Sequence, residues 1–176
     1  MKLNLASGTN IRDGWMNLDV VPRWPLASRG CDQLWDARTQ AIPFPDGSAE
    51  EVYAGYLFLH LAPMHHARVL EDIRRVMKLG GRLIVGEVEM DAVMRRWLGS
   101  PEDKRLAELI WGEQGDLDQP LAEQAALAEF DKHCHGFTEA SLRAFLARGH
   151  FREARRIRVH DAAVWYELSL ETFKEP

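Results

Sequence analysis

Residues 51–88 constrain this chain more than any other stretch of it. Glu51–Leu57 and Arg82–Val88 are short apolar runs of strand length, set off by glycine, proline or aspartate. Between them, from Pro63 to about Met77, the apolar residues Val69, Leu70, Ile73, Val76 and Met77 recur at helical spacing. Arg68, Glu71, Asp72, Arg74 and Arg75 take the opposite face. Pro63 suits a first helical turn, and Gly80-Gly81 predicts the stop. A strand, an amphipathic helix and a strand in this order make a parallel βαβ unit, because parallel strands need a crossover. The chain is therefore read as an α/β protein. Two further runs, Lys2–Ala6 and Met16–Val21, and a weaker one at Asp32–Asp36 supply more strands. The 176 residues suit a single domain, 1–176, with its own core.

Residues 91–132 differ in character. They hold ten acidic and five basic side chains, the whole of the net charge of -5. Ser100-Pro101-Glu102-Asp103 predicts a helix start ahead of Leu106, Leu109 and Ile110, and Gln119-Pro120 predicts a second, alanine-rich helix. About 40 residues hardly support a separate core, so this is expected to be a helical lid inserted in the domain. Thr138 then caps a helix carrying Leu142, Phe145 and Leu146, which Gly149 ends. Phe151–Val159 and Ala163–Phe173 read as an antiparallel pair of strands.

Outside the insertion the charges balance, which argues against a nucleic-acid partner. No run approaches the ~18 apolar residues of a membrane span. The first strand begins so early that no secretory leader precedes it, and Cys31 and Cys134 are far apart. A cytoplasmic protein with reduced thiols is the expectation. His133-Cys134-His135 lacks a second ligand pair at metal spacing, so no metal is expected. Arg152, Arg156, Arg158 and His160 share one strand face by period two, either as a solvated edge or as a site for an anion.

In an open parallel sheet, ligands bind at the carboxyl ends of the strands. Here those ends lead into Ala6-Ser7-Gly8-Thr9-Asn10, Asp19, Asp36-Ala37, His60 and Glu87. A loop of small residues lets a ligand approach the backbone, and an acid ending the next strand can accept both hydroxyls of a ribose. That pairing marks a nucleoside-containing cofactor, although such a loop alone is as well a plain turn.

Leu3-Asn4-Leu5-Ala6-Ser7-Gly8-Thr9-Asn10, followed by Gly14-Trp15-Met16-Asn17-Leu18-Asp19-Val20, resembles the class I S-adenosylmethionine-dependent methyltransferases. The likeness is strongest to a small bacterial subgroup with a short first connection. It continues through Asp36-Ala37, Ile42-Pro43-Phe44-Pro45-Asp46-Gly47-Ser48, Leu59-His60-Leu61 and Arg75-Val76-Met77-Lys78-Leu79-Gly80-Gly81-Arg82-Leu83. It resumes at Gly136-Phe137-Thr138 and Gly149-His150-Phe151. The resemblance implies a Rossmann-like fold with a mixed seven-stranded sheet in the order 3-2-1-4-5-7-6. It implies methyl transfer from S-adenosylmethionine to a small-molecule or glycan-linked acceptor.

By the same resemblance, Ala6, Ser7 and Gly8 line the methionine moiety, Asp19 binds the ribose, and Asp36 with Ala37 meets the adenine. Tyr56 and Leu57 face the sulfonium. His60, titrating near neutrality, is the candidate general base, with Glu87 second; a structural histidine is the alternative. The chain also departs from the family. Asn4 replaces the usual acid of the first strand, Ala6 and Asn10 replace loop glycines, and only nine residues separate Ala6 from Met16. These departures keep open a methyltransferase-like binding or scaffold protein without catalysis. The oligomeric state is not legible.

Overall fold

The computed structural model describes residues 1–111, 132–157 and 167–175. Its sheet has seven strands in the order β3-β2-β1-β4-β5-β7-β6. They are β1 (Lys2–Leu5), β2 (Met16–Asp19), β3 (Gln33–Leu34), β4 (Ala49–Gly55), β5 (Met77–Val88), β6 (Arg155–Ile157) and β7 (Glu167–Phe173). The first five are mutually parallel, and β7 runs antiparallel to both β5 and β6. Both the α/β class and the strand order agree with the expectation.

Helix α1 (Pro63–Val76) joins β4 to β5, with Pro63 in its first turn. Its buried residues His66, Val69, Leu70, Ile73 and Val76 follow the spacing of one helical face. They pack on Leu3, Leu5, Val52, Leu83 and Val85 in the main core. The helix ends where expected, near Met77, but the strand after it begins before the glycines and not at Arg82. Met77 is already extended and begins β5, pairing with Ala49, while Gly80 takes a φ of 70° within the strand. The other bounds move similarly. β3 shrinks to two residues, and β6 starts at Arg155 rather than Phe151; residues 158–166, which hold the other ends of the two expected final strands, lie outside the described residues.

Beyond β5 lie α2 (Met90–Gly99) and α3 (Lys104–Trp111). Sequence reasoning missed α2, although Met90, Val93 and Trp97 carry a helical repeat. They pack with Leu59, Val88 and Leu106 into a second, smaller core. Ser100 lies in the turn before α3, and the Asp103 carboxylate accepts from Arg105 N instead. The helix expected at Gln119-Pro120 lies outside the described residues. Helix α4 (Glu139–Arg148) opens with a reciprocal cap, Ser141 N donating to Thr138 Oγ1 and Thr138 N to Ser141 Oγ.

Two contacts close the root of the insertion. Glu89 and Phe137 form an isolated bridge, and the Arg156 guanidinium reaches both Glu89 (2.5 Å) and Glu139 (3.0 Å). Arg156 is exposed on the edge strand β6 and at the same time ties that strand to the root of the insertion; Arg158 and His160 lie outside the described residues. Among the described residues, no helix is long and apolar enough to cross a membrane.

Candidate functional site

β1 lies between β2 and β4, with Leu5 opposite Leu18 on one side and Ala54 on the other. The chain leaves β1 toward β2 but leaves β4 toward β5, so the connections diverge here and open a crevice. The two residues that follow these strands, Ala6 and Tyr56, have φ of 51° and 58°, left-handed values that L side chains resist. Each costs on the order of 1 kcal/mol. Backbone strain thus falls at two neighbouring strand ends beside the topological switch point, which makes this place the candidate site. Tyr56 is held by its N–H, which donates to Gly86 O at 2.6 Å.

Ala6 stands where glycine fits without strain. Ala6→Gly is therefore expected to leave stability unchanged or raise it by up to about 1 kcal/mol, the relief of strain outweighing the added chain entropy. A urea titration checks this; a clear loss of stability would show that the alanine methyl packs favourably.

Asp19 ends β2 beside this loop. It is only 4% exposed, and both oxygens are engaged. Gly8 N donates to Oδ2 at 2.8 Å, while Val21 N (3.0 Å) and Trp24 Nε1 (2.8 Å) donate to Oδ1. A carboxylate offers about four acceptor positions, so one remains. The acid thus braces the loop. Trp24 had no sequence signal. Ser7, between Ala6 and Gly8, is 2% exposed and its hydroxyl has no hydrogen-bond partner.

The connection from β1 to β2 is held by Asn17 in place of a helix. Its Oδ1 accepts from Asn4 Nδ2 (2.8 Å) and Arg12 N (2.9 Å). Its Nδ2 reaches Arg12 O, Trp15 O and Asp32 Oδ2 at 3.1, 3.0 and 2.7 Å. Asn4, where the resembled family has an acid, also donates to Asn10 O at 2.8 Å. Both asparagines are structural, and Asn17 is legible afterwards as the asparagine of the Gly14–Asp19 motif.

Asp36 follows β3 and is turned toward Arg38, whose guanidinium bonds both its oxygens and holds its carboxyl below the usual range. Ala37 is buried, and its carbonyl accepts from Arg68. Leu57 is buried in the main core. Tyr56 packs against the smaller core beneath α2 and α3.

The short 3₁₀ helix Phe58–His60 follows Tyr56 and Leu57. Burial, with His133 beside it, depresses His60 to about 4, which corrects the expectation that it titrates near neutrality. Its ring meets His133 edge-on at 5.0 Å, and Nδ1 lies 3.3 Å from Lys132 O. A carbonyl only accepts, so Nδ1 carries the proton and Nε2 presents a lone pair. His60 is thereby neutral at physiological pH. His133 and His135 belong to the strand-like return of the insertion, where Cys134 N and His135 N both donate to Leu59 O. Among the described residues, no group of three or more His, Cys, Asp or Glu side chains is placed to hold a metal ion.

Comparison with known proteins supports the fold. Residues 24–85 match the sequence pattern of a family described as a methyltransferase domain. None of the curated proteins matches the sequence. Among solved structures, the chain is similar to a SAM-dependent methyltransferase from Methanosarcina mazei, with a TM-score of 0.61 and 16% identity. That match covers 99% of this chain and 92% of the other. A possible histamine N-methyltransferase from Thermotoga maritima gives 0.61 and 14%, covering 99% and 82%. The 1,6-didemethyltoxoflavin-N1-methyltransferase of Burkholderia thailandensis, solved with 1,6-didemethyltoxoflavin and S-adenosylhomocysteine, gives 0.58 and 14%, covering 99% and 71%. The chain has the class I S-adenosylmethionine-dependent methyltransferase fold.

Proposed function

We propose that this chain binds S-adenosylmethionine in the crevice between β1 and β4 and transfers its methyl group to a small-molecule or glycan-linked acceptor. In this reading it acts in the cytoplasm, as one of the small bacterial members of its class, with residues 91–132 as a lid. The observation that carries the reading is the pair of strained backbones at Ala6 and Tyr56, with Asp19 ending the adjacent strand. The residues present fit the cofactor. Asp19 keeps one acceptor position for a ribose hydroxyl, and the buried, unpartnered Ser7 hydroxyl has a hydrogen bond to give. Small residues at 6–8 leave the loop backbone approachable.

The cofactor supplies a methyl group on an already activated sulfonium. The protein's task is alignment and exclusion of water. Ala6–Gly8 and Tyr56 shape the two walls, and Asp36 with Ala37 lies at the adenine end. His60 offers its Nε2 lone pair to an N–H or O–H of the acceptor, orienting it. Helices α2 and α3 cover the Tyr56 end with the apolar residues of the smaller core. The small organic molecule bound by the Burkholderia enzyme supports a small acceptor here; the glycan-linked class rests on the sequence resemblance alone.

A second reading has its own support. Trp24 occupies Asp19 and Arg38 occupies Asp36, so both acids assigned to the cofactor already hold protein donors. A binding or scaffold protein would need no more. Isothermal titration of the purified chain with S-adenosylhomocysteine separates the two. Saturable one-to-one binding supports the methyltransferase, and absence of binding makes the scaffold reading the leading one.

A further inference from the structure

Glu87 is the most costly side chain in the protein to explain by packing. It is 0% exposed, near the carboxyl end of β5, opposite Leu168 of β7. By the alternation of the strand it shares a face with Leu83 and Val85, both in the main core. A carboxyl group buried there costs stability, and an aliphatic residue would pack without that cost. Its bonding gives the reason for it. Oε1 accepts from Phe58 N at 3.0 Å, and Oε2 has no hydrogen-bond partner. The preceding residue, Gly86, accepts from Tyr56 N. Two consecutive residues of β5 therefore hold the two ends of the strained turn Tyr56-Leu57-Phe58. His66 of α1 completes the anchorage, its Nε2 lying 2.9 Å from both Phe58 O and Leu61 O.

We propose that Glu87 is a positioning residue, whose carboxyl fixes the Tyr56–His60 turn from beneath and so sets the wall against which the methyl donor is held. The inference rests on the cofactor reading above. It does not place Glu87 in contact with substrate. Burial raises the carboxyl to about 8, although the N–H groups of Phe58 and Leu59 pull it back toward ionisation. At neutral pH the group is a protonated acid. Above pH 8 it becomes a buried carboxylate, and the turn must open to hydrate it.

The sign of the effect on stability follows. The folded value lies above the unfolded one of 4.5, so the folded chain holds the extra proton between those two pH values. The stability that Glu87 contributes is complete below 4.5 and is lost as pH rises through 8. Ionisable groups on the elements next to it are His60 on the turn, His66 on α1 and Glu89 just beyond β5. Glu87→Gln retains all of them, keeps the acceptor for Phe58 N and cannot ionise. The difference between the two pH profiles therefore belongs to Glu87.

The experiment compares the wild-type chain with Glu87→Gln between pH 5 and pH 9.5, by thermal denaturation and by titration with S-adenosylhomocysteine. The variant should melt several degrees above the wild type at pH 9, the gap closing toward pH 5. Wild-type affinity should fall tenfold or more from pH 6.5 to pH 9, while that of Glu87→Gln stays flat and within about threefold of wild type at pH 6.5. Wild-type affinity that is flat to pH 9 while the melting gap appears would overturn the positioning role and leave Glu87 a structural acid. Weak binding by folded Glu87→Gln at pH 6.5 would overturn it too. If neither protein binds at any pH, the cofactor reading itself fails, and this inference with it; that outcome is distinct from a wild type that binds without pH dependence.

Discussion

Replacing Asp19 by alanine is expected to abolish nucleoside binding and to destabilise the fold at the same time. The second effect follows from the structure and not from the sequence, since it depends on which donors the carboxylate meets. Three donors converge on the carboxylate, from Gly8, Val21 and Trp24. Hydrogen bonds to a charged acceptor contribute about 1.5–3 kcal/mol each, but these donors lie on surface loops and recover water when the acid is removed. A net loss of about 2–4 kcal/mol is the expectation. Affinity for S-adenosylhomocysteine should fall by more than about 100-fold, because the loop at Gly8 loses its brace as the ribose loses its acceptor. Asp19→Asn keeps one acceptor oxygen and should fall between the two. Trp24→Phe releases Oδ1 without touching the acid, and should bind at least as well as the parent. Urea denaturation and calorimetric titration measure both effects. Unchanged affinity in folded Asp19→Ala would remove this residue from the site.

Asn17→Asp should be the most damaging isosteric change in the chain. Asn17 is 0% exposed and every polar atom of its side chain is used. Aspartate would place an oxygen where the amide now donates to two carbonyls and to the Asp32 carboxylate. Three attractions become repulsions at a fully buried position. The expected loss is about 4–5 kcal/mol at pH 7, against about 2–4 kcal/mol for Asn17→Ala, which only leaves the partners unpaired. Acidification should narrow the difference, since a protonated carboxyl can donate once. An Asn17→Asp chain with the parent's urea midpoint at pH 7 would show that the β1–β2 connection does not depend on this amide.

Much of the fold was legible because its signals are local. The α1 stripe, the Thr138 cap and the alternation of the strands are set by residues a few positions apart, and the structure follows them. The bounds that moved did so for tertiary reasons. Met77 already joins the strand because pairing with Ala49 satisfies its backbone before the glycines are reached, and β3 keeps only the two residues that β2 reaches. The candidate site was legible by position but not by state. Asp19, Asp36 and His60 stand at strand ends as expected, yet what each does is decided by Trp24, Arg38 and His133. The histidine contact spans more than seventy residues of chain, and no spacing rule points to any of the three.

The bridge between Glu89 and Phe137, with Arg156 across it, gives the domain a hinge-free doorway. The chain steps out of the sheet and back in at nearly one point, so no strand's register depends on what hangs between. Lengthening that excursion costs only loop entropy, which grows with the logarithm of its length. On the function proposed above, substrate preference could then change by exchange of the excursion as a cassette, with the sheet beneath it left as it is.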